Sequence, residues 1–172
     1  MGIDPVELQD CLDSMVFVVD TREQPTKRFD ERVRWLEPHV RERVNAGDYT
    51  AKTLLPDGTW FYVPCAVERK MSFTELCGCY CQERGRFTAE FERAKANGVK
   101  IVMLIENATW EDAYAGNYRS KMNPKSFVAS ILTWLARYNC QILFCRPQTT
   151  GKLIRDILRY EMREALEKLI DY

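Results

Sequence analysis

A chain of 172 residues is long enough for one ordinary globular domain and too short for two comfortable ones. Its hydrophobic fraction of 46% supports a packed core, and no apolar run reaches the roughly 20 residues a membrane span needs. Twenty-five basic residues balance 25 acidic ones, so net charge excludes neither a nucleic-acid partner nor an acidic metal centre.

Met1 to Asp10 carries acidic residues and no basic leader before an apolar stretch, so a soluble, cytoplasmic protein is expected. Seven cysteines, an odd number, then read as reduced thiols. Cys77, Cys79 and Cys81 form a C-x-C-x-C run, yet no second pair has zinc spacing and His39 is the only histidine. Small residues filling helix contacts explain the run better than a metal.

Met15 to Val19 is a short, β-branched apolar run and predicts a buried strand that ends at Asp20-Thr21-Arg22-Glu23. From Lys27 to Val44, apolar residues at helical spacing predict a helix interrupted near Pro38, with His39 a surface residue on it. Tyr49 to Leu55 and Thr59 to Val63 flank Pro56-Asp57-Gly58, a strong hairpin signal. The chain returns past Pro64 through Cys65 to Lys70. Ser72 and Glu75 have the spacing of a capping box, so a helix should follow, loosened at Gly85 and stopping at Asn97-Gly98. Val99 to Ile105 is a second buried strand. Asn123-Pro124 opens a helix running to about Tyr138. Gln141 to Cys145 is the last strand, and an amphipathic helix covers about 152–169. Such alternation predicts a single α/β domain over 1–172 with helices on both faces of a mixed sheet.

Acidic residues cluster where strands end: Asp20 to Glu23, Gly47-Asp48, and Glu68 to Lys70. Side chains alternate along a strand, so Glu68 and Lys70 project to one face. If the hairpin pairs as expected, Asp48 starts the strand beside the one carrying Glu68. Neighbouring carboxylates need a cation or a shared proton, and oxygen ligands suit magnesium or manganese. A bound metal would lower the pKa of its water, with Lys70 orienting that water or steadying the phosphate. Taken alone, the D…E-x-K spacing is a weak signal, since acidic strand ends are often merely solvated. Other patterns offer less. Gly151-Lys152 lacks the remaining residues of a phosphate loop, and Tyr80, Trp110, Tyr114 and Tyr118 read as core aromatics rather than base-stacking ones. His39 has no convincing nucleophile partner.

Val19-Asp20-Thr21-Arg22-Glu23, Gly47-Asp48-Tyr49 and Val67-Glu68-Arg69-Lys70 resemble the successive signatures of XPF-type (xeroderma pigmentosum group F) nucleases, within the PD-(D/E)XK superfamily. Gly85-Arg86-Phe87, Met103 to Glu106, and Phe144-Cys145 with Thr149-Thr150 continue the likeness over roughly 15–160. Lys121 to Lys125 and the compact length resemble short bacterial prophage forms. The resemblance implies a restriction-endonuclease-like three-layer α/β/α fold with a central mixed sheet. It implies a magnesium- or manganese-dependent DNA endonuclease, with branched or distorted duplex as substrate and no organic cofactor. Residue by residue, it implies Asp20, Glu23, Asp48 and Glu68 around the metal and Lys70 at the reacting phosphate. Arg22 and Arg69 also match motif positions, where a structural ion pair competes with a catalytic role. Arg84, Arg86, Arg119, Lys121 and Lys125 are the candidate DNA contacts. One departure is visible: the aspartate expected four residues after Lys70 is Thr74, and Glu75 is better explained by capping. Two rivals therefore stand: a catalytically weak or silent DNA-binding or assembly module, and a sequence-specific restriction-like enzyme. The C-terminal helix, Lys152 to Leu169, is open to two uses, packing on its own core or binding a second subunit in a homodimer.

Overall fold

A computed structural model of the chain describes residues 2–170. Fourteen elements run α1 (Pro5–Asp13), β1 (Val16–Asp20), α2 (Lys27–Val33), β2 (His39–Glu42), β3 (Tyr49–Leu54), β4 (Trp60–Tyr62), β5 (Cys65–Lys70), α3 (Phe73–Cys81), α4 (Arg84–Ala96), β6 (Lys100–Glu106), α5 (Trp110–Ala115), α6 (Pro124–Tyr138), β7 (Gln141–Cys145) and α7 (Pro147–Glu167). The strands form a seven-stranded sheet in the order β2-β1-β3-β5-β6-β7, with β4 on β3. β1 is parallel to β2 and antiparallel to β3, and β6 is parallel to β7, so the sheet is mixed as expected. Among the described residues no helix is long and apolar enough to cross a membrane.

The described residues divide into two compact units. The first comprises 2–44, Asp48–Ala66 and 151–170. β1 is buried along nearly its whole length, as an apolar run lacking alternation requires. The expected hairpin forms, with Lys52 opposite Tyr62 and Leu54 opposite Trp60, and Gly58 supplies the positive φ of 84° that its turn needs. α7 buries Ile154, Leu158, Met162 and Leu166 at the i, i+4 spacing of one helix face, so its apolar stripe is spent within the chain. At Gly151 a Cβ would lie 2.6 Å from the Arg32 carbonyl oxygen and 2.9 Å from the Trp35 ring, so only glycine allows α7 to approach the end of α2 this closely.

Two expectations fail in this unit. The helix predicted to Val44 stops at Val33, where Trp35 and Leu36 bond back to Arg32 and Val33 in tight turns. Pro38 disfavours helical backbone in the residue before it, and His39 to Glu42 then pairs in parallel with β1, so His39 sits on a strand, partly buried. Its sparse apolar spacing suits either element, and sheet pairing decides. α1 was not expected, although its signals are local: Asp4 accepts from the Val6 and Glu7 amides, Glu7 reaches back to the Asp4 amide at 2.9 Å, and Pro5 opens the helix.

The second unit comprises Asn45–Gly47 and Val67–Thr150. Its core is aromatic. Phe87 stacks on Trp134 at 5.8 Å between ring centroids, and Phe73 meets Phe127 edge to face at 5.0 Å. Asn123 caps α6 through the Ser126 amide with Pro124 in the first turn, as expected. The continuous helix predicted through Gly85 is instead two helices, α3 and α4. Arg84 and Arg86 consequently lie in the first turn of α4. α5 is also additional, opened by Thr109 and closed by Gly116 in left-handed backbone. Tyr80 is buried and Trp110 and Tyr118 pack against the core, but Tyr114 is 66% exposed, contrary to expectation, because it occupies the outer face of this short helix.

Candidate functional site

The acidic strand ends behave differently in the two units. In the first, the Asp20 carboxylate is 1% exposed and accepts four hydrogen bonds. Oδ1 takes the Arg22 amide and Nε, each at 2.7 Å, and Oδ2 takes Arg22 Nη2 at 3.0 Å and the Val44 amide at 2.8 Å. Burial alone would raise its pKa, but Arg22 and the two backbone donors outweigh burial and hold it below the usual range. Arg22 also donates to the Val44 carbonyl, so this pair clamps β1 to the chain entering the Gly47-Asp48 turn. Glu23 accepts from the Tyr49 hydroxyl at 2.8 Å and from Arg32 at 3.4 Å. Asp48 is tied to the same strand end, its carbonyl accepting the Asp20 amide at 2.8 Å.

In the second unit, β5 carries Glu68, Arg69 and Lys70. Period-two alternation sends Glu68 and Lys70 to one side and Arg69 to the other. Lys70 Nζ lies 2.5 Å from Glu68 Oε1, 4.0 Å from Glu75 Oε1, and 5.6 Å from the centre of the Phe87 ring. Glu68 is 4% exposed. Burial, opposed by Lys70 and reinforced by the negative charge of Glu90 and Glu75, raises its pKa to about 7. Glu90 in turn accepts the Gly47 amide at 2.8 Å, holding the turn before Asp48 against α4. Gly47 has φ of 78°, a conformation that glycine adopts without strain.

On the other side of β5, Arg69 forms a bidentate pair with Glu106 at 3.0 and 2.8 Å. Glu106 is 1% exposed and also accepts from the Thr150 hydroxyl at 2.6 Å. Of the two roles open to Arg69, the geometry shows the ion pair. Sequence reasoning missed Glu106 and Glu90 as site neighbours. Glu106 closes the apolar run of β6 in a stretch that resembles the family but carries no role there, and Glu90 looks like any solvated helix glutamate.

The Ser72–Glu75 box is half formed. Ser72 accepts the Glu75 amide at 3.3 Å, but the Glu75 carboxylate takes the Met71 amide rather than that of Ser72. Thr74 accepts the Arg119 amide at 3.0 Å. Cys77 and Cys79 are buried and Cys81 is exposed; all are free thiols. Among the basic candidates, Arg86, Arg119, Lys121 and Lys125 are exposed, and Arg84 lies over the Trp134 ring at 5.6 Å.

Among the described residues, no three or more His, Cys, Asp or Glu side chains form a ready-made metal cage. Magnesium does not require one, since it keeps several waters and takes one or two carboxylates together with substrate phosphate. Glu68, a buried carboxylate at the end of β5, offers oxygen of the kind a hard cation takes.

The mixed sheet with its helices, β5 ending in Glu-Arg-Lys, has the restriction-endonuclease-like fold. The ERCC4 domain family model matches residues 19–157, and the chain belongs to that family of nuclease domains. XPF from Aeropyrum pernix is similar in structure, with a TM-score of 0.61 and 17% identity, over 89% of this chain and 68% of that one. The same protein in complex with DNA gives 0.60 and 17%, over 87% and 66%. At this identity the likeness is one of fold, and the chain spans about two thirds of the length of those it matches. No curated protein matches it by sequence.

Proposed function

We propose that this domain is a cytoplasmic, magnesium- or manganese-dependent endonuclease that hydrolyses phosphodiester bonds in DNA, at branched or distorted duplex. The observation that carries the reading is the buried Glu68–Lys70 pair at 2.5 Å, within the family motif, beside Glu75 and Glu90. Glu68 and the motif's Asp48 are the proposed metal ligands. A bound divalent ion supplies an activated water and charge neutralisation at the phosphate. Lys70 stays close enough to Glu68 to compensate its charge and places an ammonium for a phosphate oxygen. Asp20, with its carboxylate saturated by Arg22 and Val44, positions the turn leading to Asp48 rather than binding metal. Glu23 does the same through Tyr49 and Arg32. Arg86, Arg119, Lys121 and Lys125 supply contacts to the DNA backbone, which position a duplex without reading sequence. α7 gives a homodimer no support, because its apolar stripe is buried within the chain.

One observation favours the silent-module rival: the family's further acidic position is Thr74, whose hydroxyl is bonded to a backbone amide. Incubating the pure protein with flap, fork, junction and plain duplex oligonucleotides, in magnesium and in chelator, separates the two. Metal-dependent cutting of the branched substrates is expected. Binding without cutting in any metal would establish the module, and cutting of plain duplex at fixed sequences would establish a restriction-like enzyme.

A further inference from the structure

Thr74, Cys77 and Cys81 stand at i, i+3 and i+7, a single stripe on α3. The stripe faces the segment between α5 and α6. Thr74 Oγ1 accepts the Arg119 amide at 3.0 Å, Cys77 lines the same cleft as Ser120, and Cys81 Sγ meets Met122 Sδ at 3.7 Å. The segment is also braced internally. The Met122 amide donates to the Ser120 hydroxyl at 3.1 Å, and Tyr118 donates its hydroxyl to the Met122 carbonyl at 3.0 Å. Cys79 lies on the far side of the helix, where its thiol feels Lys70 and Glu68. One short helix therefore touches the Glu68–Lys70 pair with one side and carries this segment on the other. The C-x-C-x-C run is the sequence trace of that double duty.

Between the stripe and the segment lies a cleft of about 490 Å³. Its lining includes Arg119 and Lys121 and no acidic residue. Both cations are exposed, and neither side chain has a hydrogen-bond or ion-pair partner among the described residues. In a chain of zero net charge this is a local positive excess on a braced scaffold; the Thr74, Ser120 and Gln82 side chains accompany the two cations, Cys77, Cys81 and Met122 add apolar surface, and no aromatic residue lines the cleft. Two unpaired cations with hydroxyl and amide groups beside them suit phosphates, and no aromatic ring is there to stack on a base.

We infer that this cleft binds the phosphodiester backbone of the DNA substrate, and that Thr74 is a positioning residue that sets its basic rim. The inference rests on the reading of the chain as a DNA nuclease and assigns the residue that replaces the family's aspartate: a carboxylate position has become an anchor for the phosphate-binding segment.

The test is fluorescence-anisotropy titration of a labelled fork oligonucleotide in chelator, over a range of salt. Arg119→Ala/Lys121→Ala is expected to weaken binding about tenfold near physiological salt and to lower the log–log salt slope by about 1.8, roughly 0.9 per lost phosphate contact. Thr74→Val, which keeps the shape and loses the acceptor, is expected to weaken binding a few-fold, and Thr74→Ser to restore it. Parental affinity and slope in the double variant would overturn the cleft. Parental affinity in Thr74→Val would overturn the role of Thr74. Displacement of DNA by millimolar inorganic phosphate at constant ionic strength would reassign the cleft to the free ion. A parent that binds DNA without cutting it refutes the nuclease reading and leaves the cleft in place; a parent that cuts while the double variant binds unchanged refutes the cleft alone.

Discussion

Asp20 and Glu68 are both carboxylates buried at strand ends, and they are held in opposite ways. Asp20 faces four fixed donors, two of them backbone amides, and its pKa falls. Glu68 faces one lysine on a flexible stem, with two more glutamates contributing negative charge, and its pKa rises. A saturated carboxylate is a rivet; an under-compensated one has capacity left for a cation. We propose that acidic residues alike in sequence divide into frame and working group according to the number and rigidity of their donors.

The largest difference should appear in cleavage. Glu68→Gln is expected to reduce magnesium-dependent cutting at least a hundredfold, the scale of losing a direct electrostatic contribution at the reacting phosphate. Asp20→Asn should cost no more than about tenfold, through a loosened turn. Equal losses measured on the same fork substrate would erase the distinction.

Stability should depend on the buried pairs of the frame. Arg69→Ala strips Glu106 of its bidentate partner and is expected to destabilise the fold by about 3–5 kcal/mol in urea titration, as for other broken buried pairs. Asp20→Asn should cost about 1.5–3 kcal/mol, the worth of a charge-assisted hydrogen bond. An Arg69→Ala protein of parental stability would return Arg69 to the list of candidates for chemistry.

Much of this was legible locally. The Pro56-Asp57-Gly58 turn, the Asn123-Pro124 start and the apolar runs of β1, β6 and β7 carry their own signals, and the structure follows them. β2 was not legible, since Val40 is the sole aliphatic residue in His39–Glu42 and its partner lies some twenty residues upstream in β1. The motif residues Glu68 and Lys70 were visible from spacing and resemblance. Glu106, which pairs with Arg69 from 37 residues away, becomes visible only when β6 pairs into the sheet. Thr74 looked like a loss until its bond to Arg119 gave it other work.

The smallest expected effect concerns Glu42, which pairs with Lys52 and accepts from Tyr62. The Lys52 hydrogen bond, against some burial, lowers its pKa from 4.5. A lowered folded pKa means the contribution is present above 4.5 and is lost as pH falls through the folded value. Melting temperature should therefore fall slightly more steeply below pH 4.5 in the parent than in Glu42→Gln. Identical slopes would remove this pair from the stability of the first unit.

The most direct trial of the contrast is calorimetric titration of manganese into the parent, Asp20→Asn and Glu68→Gln. The expected result is parental affinity in Asp20→Asn and at least a tenfold loss in Glu68→Gln. Parental affinity in Glu68→Gln, with the loss appearing in Asp20→Asn, would contradict it.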